Sequence, residues 1–169
     1  MSRARAAAGS LVFLLVAPGV MAGLVPWLIT GWDSTDPPPA LQLAGAALIA
    51  AGSGILVSAF VRFVVDGLGT PAPVAPPEHL VVTGLYRHVR NPMYVAVLAA
   101  IVGQSLLLGR LGLLLYAGVV WVAVAAFVRL YEEPTLTRRF GADYEAYRRA
   151  VPAWWPRLRP WERDGPGAG

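Results

Sequence analysis

The 169-residue chain has no cysteine and no lysine, and only 14% of its residues are charged. Without cysteine there is no disulfide, no sulfur nucleophile and no thiolate metal site, and no metal centre is expected. Soluble domains carry roughly 25% charged residues; this lower share, beside 56% hydrophobic residues, leaves too little polar surface for a soluble globule. The composition is that of a membrane protein. All 14 basic residues are arginine, so the net charge of +4 persists at any physiological pH. Two further classes are disfavoured. There is no glycine-rich dinucleotide fingerprint for a nicotinamide-dependent reductase, and the arginines flank apolar runs instead of forming the separate basic face of a nucleic-acid-binding protein.

What is present is a succession of apolar runs divided by turn-forming residues. The first covers residues 11–29, is interrupted by Pro18, Gly19, Gly23 and Pro26, and follows Arg3 and Arg5. Two readings stand for it: a leader cleaved near Val20-Met21-Ala22, or a first membrane helix kinked by its prolines. Three further apolar runs favour the helix. Residues 32–39, acidic and rich in proline, read as an external loop. A second helix is expected over 41–65, with Ala47, Ala51 and Gly54 on one face at a spacing that permits close contact in lipid. Arg62 and Asp66, four residues apart, form an expected interfacial pair. Residues 67–77, rich in proline, read as a linker.

Asn91 as N-cap and Pro92 in the first turn predict a third helix over Pro92–Leu108. Gly109-Arg110 makes a turn, and a fourth helix follows over 111–130. Beyond it Phe140, Tyr144, Tyr147 and Val151 recur at helical spacing with arginines on other faces. They describe an amphipathic stretch, broken near Gly141, lying against either the membrane interface or the bundle. Trp154, Trp155 and Trp161 read as interfacial anchors, and 164–169 as a disordered tail. With four crossings, Arg3, Arg5, Arg62, Arg87, Arg90, Arg129 and the C-terminal arginines share one side and only Arg110 lies opposite. Both termini are then cytoplasmic.

Two polar signatures flank the last two apolar runs: Arg87-His88-Val89-Arg90-Asn91-Pro92-Met93-Tyr94 before the third helix and Tyr131-Glu132-Glu133-Pro134 after the fourth. A two-helix hairpin returns its ends to one face of the bilayer, so the two signatures can meet. A helix start has unpaired N–H groups and, with arginines beside it, draws an anion. The bland reading is a plain helix start with arginines on lipid phosphate. Adjacent carboxylates near a membrane need partners; Arg129, four residues before Glu133, offers one, while Glu132 is either solvated or ligand-bound. An electropositive cap facing two acceptors suits a bipolar ligand. S-adenosylmethionine has both kinds of group, as do nucleotides and lipid head groups.

These residues carry a resemblance. Asn91-Pro92-Met93-Tyr94 with Tyr131-Glu132-Glu133-Pro134 resembles the membrane-embedded phospholipid N-methyltransferases. The stretch from Phe140 to Pro152, with Trp155-Pro156 beyond, resembles the isoprenylcysteine carboxyl methyltransferases of the same superfamily. The resemblance implies an all-α, polytopic transmembrane bundle of about four membrane helices plus a C-terminal amphipathic helix. In it, 1–169 form a single membrane domain: two helices in 1–66, a linker over 67–83, a catalytic core over 84–156 and a tail over 157–169. It also implies S-adenosylmethionine as cofactor at the cytoplasmic face, and a lipophilic or lipid acceptor taken from the membrane. Tyr86, His88, Arg90, Asn91, Pro92 and Tyr94 would line the cofactor pocket with Glu132 and Glu133.

His88, Arg90 and Glu133 are the candidate catalytic residues. An amine acceptor must lose a proton, which His88 is able to take near neutrality, whereas a carboxylate acceptor is ionised already. The other reading of His88 is a phosphate or backbone hydrogen bond; Arg90 orients either an acidic acceptor or the cofactor's carboxylate. The carboxyl methyltransferases usually have His where this chain has Asn91, and a Gly common shortly after the motif's Tyr is Ala96 here. The competing class is a non-catalytic membrane scaffold that binds anionic lipid or a partner helix.

Overall fold

The computed structural model describes residues 12, 16–67 and 79–162, with residues 63–67 by backbone alone. Arg3, Arg5, the Asp66 carboxylate, the linker from 68 to 77 and the tail over 164–169 lie outside the described residues. Five helices follow in chain order: α1 (Val16–Thr30), α2 (Pro39–Gly67), α3 (Pro92–Leu108), α4 (Gly112–Phe140) and α5 (Ala142–Ala150). There is no strand among the described residues. The segments Pro39–Arg62 and Gly112–Phe140 are long and apolar enough to cross a membrane; α1 and α3 are shorter apolar helices. Large side chains such as Leu43, Leu115 and Val119 on α2 and α4 point outward, as they do where the surroundings are hydrocarbon.

The tightest packing is between α2 and α3, and it is made by glycines. A Cβ built on Gly45 would lie 2.5 Å from the Gly103 carbonyl oxygen, and one on Gly103 would lie 2.8 Å from the Gly45 oxygen. Gly52 similarly faces the Ala96 carbonyl. Backbones in lipid approach this closely only where side chains are absent. The expected face was another one: Ala47, Ala51 and Gly54 are exposed. The buried face runs Gly45, Gly52, Ala59, every seventh residue, the coiled-coil period at which a long helix keeps one face toward its neighbour.

Helix α1 contains a π-turn, Val20–Leu24, just before Pro26. Pro26 has no N–H to give the Ala22 carbonyl one turn back. Gln104 of α3 supplies the missing donor, its Nε2 lying 2.6 Å from the Ala22 oxygen, and the Tyr116 hydroxyl of α4 donates to the Met21 oxygen at 2.9 Å. Neighbouring helices thus satisfy what proline and the π-turn release, as backbone in an apolar surrounding requires.

Helix α3 occupies the range its cap and proline predict, and Gly109 ends it in the left-handed conformation at φ +66°, where a residue without Cβ is favoured. At this end Thr35 and Arg110 tie the α1–α2 loop to the α3–α4 turn through Leu108 O and Asp33 O. Helix α4 does not stop at residue 130 as expected. It passes through a second π-turn, Val128–Glu132, and continues to Phe140. Pro134 cannot donate to the Leu130 carbonyl, and the widened turn accommodates it: Glu133 N–H bonds instead to Val128 O. Gly141 then breaks the chain between α4 and α5 at φ +53°.

The amphipathic face of α5 packs inward. Tyr144, Tyr147 and Val151 are buried against Leu80, Val82, Leu136, Phe140 and Trp161. These partners belong to the end of α4 and to the segments before α3 and after α5. Trp154 packs on the central core of α3 and α4, and of the three tryptophans only Trp155 stands fully exposed.

Candidate active site

Helices α3 and α4 form the expected hairpin, and it brings the two signatures together. Arg90 Nη1 lies 2.5 Å from Glu133 Oε1, with both side chains largely buried, and 3.2 Å from the Tyr144 hydroxyl; Arg90 Nε donates to Val151 O at 2.9 Å. Glu133 Oε2 faces Arg148 at 3.8 Å. The Tyr94 hydroxyl donates to Glu132 Oε2 at 3.1 Å. Glu133 therefore does not take Arg129, four residues earlier, as its partner. The intervening π-turn has more than four residues per turn, so positions 129 and 133 no longer stack.

The first signature is occupied by the chain's own C-terminal segment. Arg90 and Asn91 donate backbone N–H groups to Pro152 O and Ala153 O, while Arg157 and Trp161 donate theirs to His88 O and Arg87 O. Side chains do the same. Arg87 Nε bonds Trp161 O at 2.7 Å and Nη2 bonds Glu162 at 3.0 Å, His88 Nδ1 donates to Arg157 O at 2.8 Å, and Asn91 Nδ2 donates to Ala153 O at 3.2 Å. Asn91 stands at the N-cap of α3 but makes no side-chain cap bond; its buried amide serves the tail instead. The side chains of Arg87 and His88, expected to strengthen an anion site at this helix start, here hold the C-terminal segment.

Burial raises the pKa of the Tyr86, Tyr144 and Tyr147 phenols above the ordinary value, so they remain neutral hydroxyls here. Tyr147 uses its own to donate to Tyr86 O at 2.7 Å.

Two cavities meet at Arg90. The larger, of about 740 Å³, is lined by Arg90, Arg129, Glu133, Pro134, Thr137, Arg138, Glu145 and Arg148, with Ala153 and Trp154 from the tail. The smaller, of about 90 Å³, is mostly apolar: Ala17, Pro18 and Met21 of α1, Phe60 of α2, and Pro92, Met93 and Val97 surround Tyr86, Asn91, Tyr94, Glu132 and the other side of Arg90. The expected cofactor-lining residues are thus divided. Arg90 and Glu133 border the charged cavity; Tyr86, Arg90, Asn91, Pro92, Tyr94 and Glu132 border the apolar one; His88 borders neither. Sequence reasoning missed Arg138, Glu145, Arg148 and Trp154, all on the large cavity. The available signal was the polar face of α5 opposite Tyr144 and Tyr147. It also missed α1 and α2 as walls of the small one, where no polar residue marks them.

Among the described residues no cluster of His, Asp or Glu could hold a metal ion. The described residues thus form an all-helical fold with apolar faces turned outward on α2 and α4 and a charged cavity beside a smaller apolar one. A family model described as phospholipid methyltransferase matches residues 41–143, and the chain belongs to that family. It is also similar to a protein-S-isoprenylcysteine O-methyltransferase of Schizosaccharomyces pombe, 38% identical over 81 residues, which are 47% of this chain and 34% of that protein. The chain thus spans about a third of that relative's length. No solved structure matches it.

Proposed function

We propose that the protein is an integral-membrane methyltransferase that moves a methyl group from S-adenosylmethionine to a lipophilic acceptor, by carboxyl O- or amine N-methylation. The observation that carries this reading is Arg90 standing between two cavities of opposite character. Small-molecule sites typically enclose about 300–1,000 Å³, and of the two cavities that meet at Arg90 the charged one has that volume. Its side chains fit the donor chemically. Arg129 and Arg138 offer cations for a carboxylate, and Glu133 and Glu145 offer acceptors for an ammonium and ribose hydroxyls. The bound donor supplies a methyl group on a sulfonium, already activated by its leaving group.

The protein's part is alignment and exclusion of water. Arg90, fixed by Glu133, Tyr144 and Val151 O, borders both cavities and would hold the edge of the opening where the two reactants come into contact. Arg87 and His88 work at one remove by holding the tail whose Ala153 and Trp154 close the charged cavity. Helices α1 to α4 make four crossings. The clamp, Arg62 and Arg129 lie toward the cytoplasm with both termini, and Arg110 lies opposite, as the arginine distribution supports.

Two measurements test the reading. Calorimetry on the protein in lipid nanodiscs should show S-adenosylhomocysteine binding that Glu133→Ala abolishes, and labelled S-adenosylmethionine should pass its methyl group to extractable membrane lipid. Absence of nucleoside binding in the wild-type protein refutes it. Release of the label as methanol in mild base distinguishes an ester from a methylated amine.

A further inference from the structure

Two of the three C-terminal tryptophans are accounted for by the fold. Trp154 packs on the core of α3 and α4, and Trp161 lies against the Tyr147 ring with centroids 5.5 Å apart. Trp155 does neither: it is 82% exposed, and Leu158, three residues on, is 97% exposed. The segment that bears them is nonetheless tied down. Pro152 O, Ala153 O and the N–H groups of Arg157 and Trp161 bond to the backbone just before α3, and Arg157 Nη1 donates to Ala150 O at 2.8 Å. A large apolar pair is thus held outward at the end of the bundle where Leu130 and Tyr131 of α4 are also exposed.

Charge identifies what covers it. Arg157 and Arg159 flank Leu158, and Arg149 stands next to the Ala150 that holds Arg157. None of the three makes an ion pair among the described residues, and the one carboxylate of residues 151–162, Glu162, is taken by Arg87 at 3.0 Å. An aromatic and an aliphatic anchor among unpaired arginines fit a leaflet of anionic phospholipid: the apolar groups enter beneath the head groups while the guanidinium groups bond phosphate. Pro152, Pro156 and Pro160 assist, since each removes an N–H that non-helical backbone brings to the interface unsatisfied. We propose that residues 151–162 dock on anionic phospholipid through Trp155, Leu158, Arg149 and Arg159, and that this docking holds the charged cavity closed. The chain itself is the link. Ala153 and Trp154, which line that cavity, sit between the bonds to the start of α3 and the Trp155 anchor. The docking is independent of any reaction; the closure rests on the methyltransferase reading above.

The chain has no cysteine, so Leu158→Cys accepts a single environment-sensitive fluorophore. The full-length labelled protein is placed in nanodiscs of phosphatidylcholine alone, or of phosphatidylcholine and phosphatidylglycerol in equal parts, and read for quenching by spin-labelled lipid. Amide exchange at Arg157 and Trp161 is followed in unlabelled wild type and in the double variant Arg149→Gln with Arg159→Gln; neither position lines either cavity. Phosphatidylglycerol should increase the quenching and slow exchange at both amides by about thirtyfold, each arginine near an anionic surface contributing about fivefold. The double variant should lose this response while its exchange in phosphatidylcholine stays as in wild type. Wild-type affinity for S-adenosylhomocysteine should rise with phosphatidylglycerol as the exchange slows. A fluorophore that stays in water in both bilayers overturns the docking and leaves an acidic protein as the partner. A double variant that responds as wild type does overturns it equally. Docking with unchanged S-adenosylhomocysteine affinity overturns the closure. If docking is seen but no nucleoside binds in either bilayer, the lipid surface stands and the methyltransferase reading falls.

Discussion

Helix α3 is held at its middle and at its start by opposite means. At the middle, Gly45, Gly52 and Gly103 let two backbones touch with no polar side chain in the contact. At the start, Arg87, His88, Arg90 and Asn91 bond to the tail, to Glu133 and to Tyr144 through a dense set of directed bonds. The first contact depends on shape and distance, since lipid gives no hydrophobic drive between helices. The second depends on partners. One joins two helices of the bundle; the other brings together segments far apart in sequence, the tail among them.

The largest expected effect comes from breaking the shape-dependent contact. Gly103→Leu drives a side chain into the backbone of α2, and that backbone has no rotamer with which to yield. No folded, monodisperse protein is expected by size-exclusion chromatography. Gly54→Leu, where nothing lies within 4 Å of the new Cβ, should elute as wild type does. If both variants behave alike, the close crossing is not what holds the pair.

Breaking the partner-dependent contact should cost less structure and more function. The side chains of Arg90 and Glu133 are only 12% and 15% exposed, so removing Arg90 leaves a largely buried carboxylate with Arg148 alone at 3.8 Å. Arg90→Ala should destabilise by about 3 kcal/mol. It should also lower methyl transfer by at least ~100-fold through lost alignment of the two cavities. Thermal unfolding read beside labelled-methyl transfer checks both. A variant that keeps full turnover after losing that stability would show Arg90 to be scaffolding only.

How far these two contacts were legible in the sequence differs for a physical reason. Asn91 and Pro92 mark the start of α3 because capping is local, and Gly109 marks its end for the same cause. The meeting of Arg90 with Glu133 followed from counting two spans of apolar residues. The true crossing face was not legible: Ala47-Ala51-Gly54 and Gly45-Gly52-Ala59 are equally small, and only the partner's position chooses between them. Nor was the division of Glu132 and Glu133 between two cavities: adjacent helical positions point about 100° apart in any case, but what each then meets depends on segments distant in sequence. For His88 the sequence left two readings, a proton acceptor or a phosphate or backbone hydrogen bond, and its bond to Arg157 O was not legible because it depends on a tail 69 residues away.

A milder probe of the polar cap is Tyr147, whose hydroxyl donates to Tyr86 O at 2.7 Å in a buried setting. Tyr147→Phe leaves that carbonyl without its donor and should cost ~1–2 kcal/mol. The sign of the pH dependence follows from burial, which raises the folded-state pKa of Tyr147 and of Tyr86 and Tyr144. An unfolded phenol ionises near 10, so the contribution of these neutral phenols is complete below about pH 10 and falls as pH rises toward the folded values. Denaturation between about pH 10 and 12 should be steeper in wild type than in Tyr147→Phe. Equal slopes would mean that this phenol does not feel its surroundings.

The smallest effect belongs to the bundle interior, and it tests whether a polar bond there behaves like one in the cap. Gln104 satisfies the Ala22 carbonyl that Pro26 leaves without a donor. An interhelical bond of this kind in lipid averages only about 0.6 kcal/mol, because the unfolded chain in the membrane also finds partners. Gln104→Leu should therefore lower stability by about that amount, with no change in S-adenosylhomocysteine affinity. The double variant Gln104→Leu with Pro26→Ala should recover the loss, since replacing the proline returns a backbone N–H that can donate to Ala22 O. Failure of that recovery would show that the π-turn of α1 is fixed by packing against α3 and α4, and that its carbonyls follow from the turn instead of determining it.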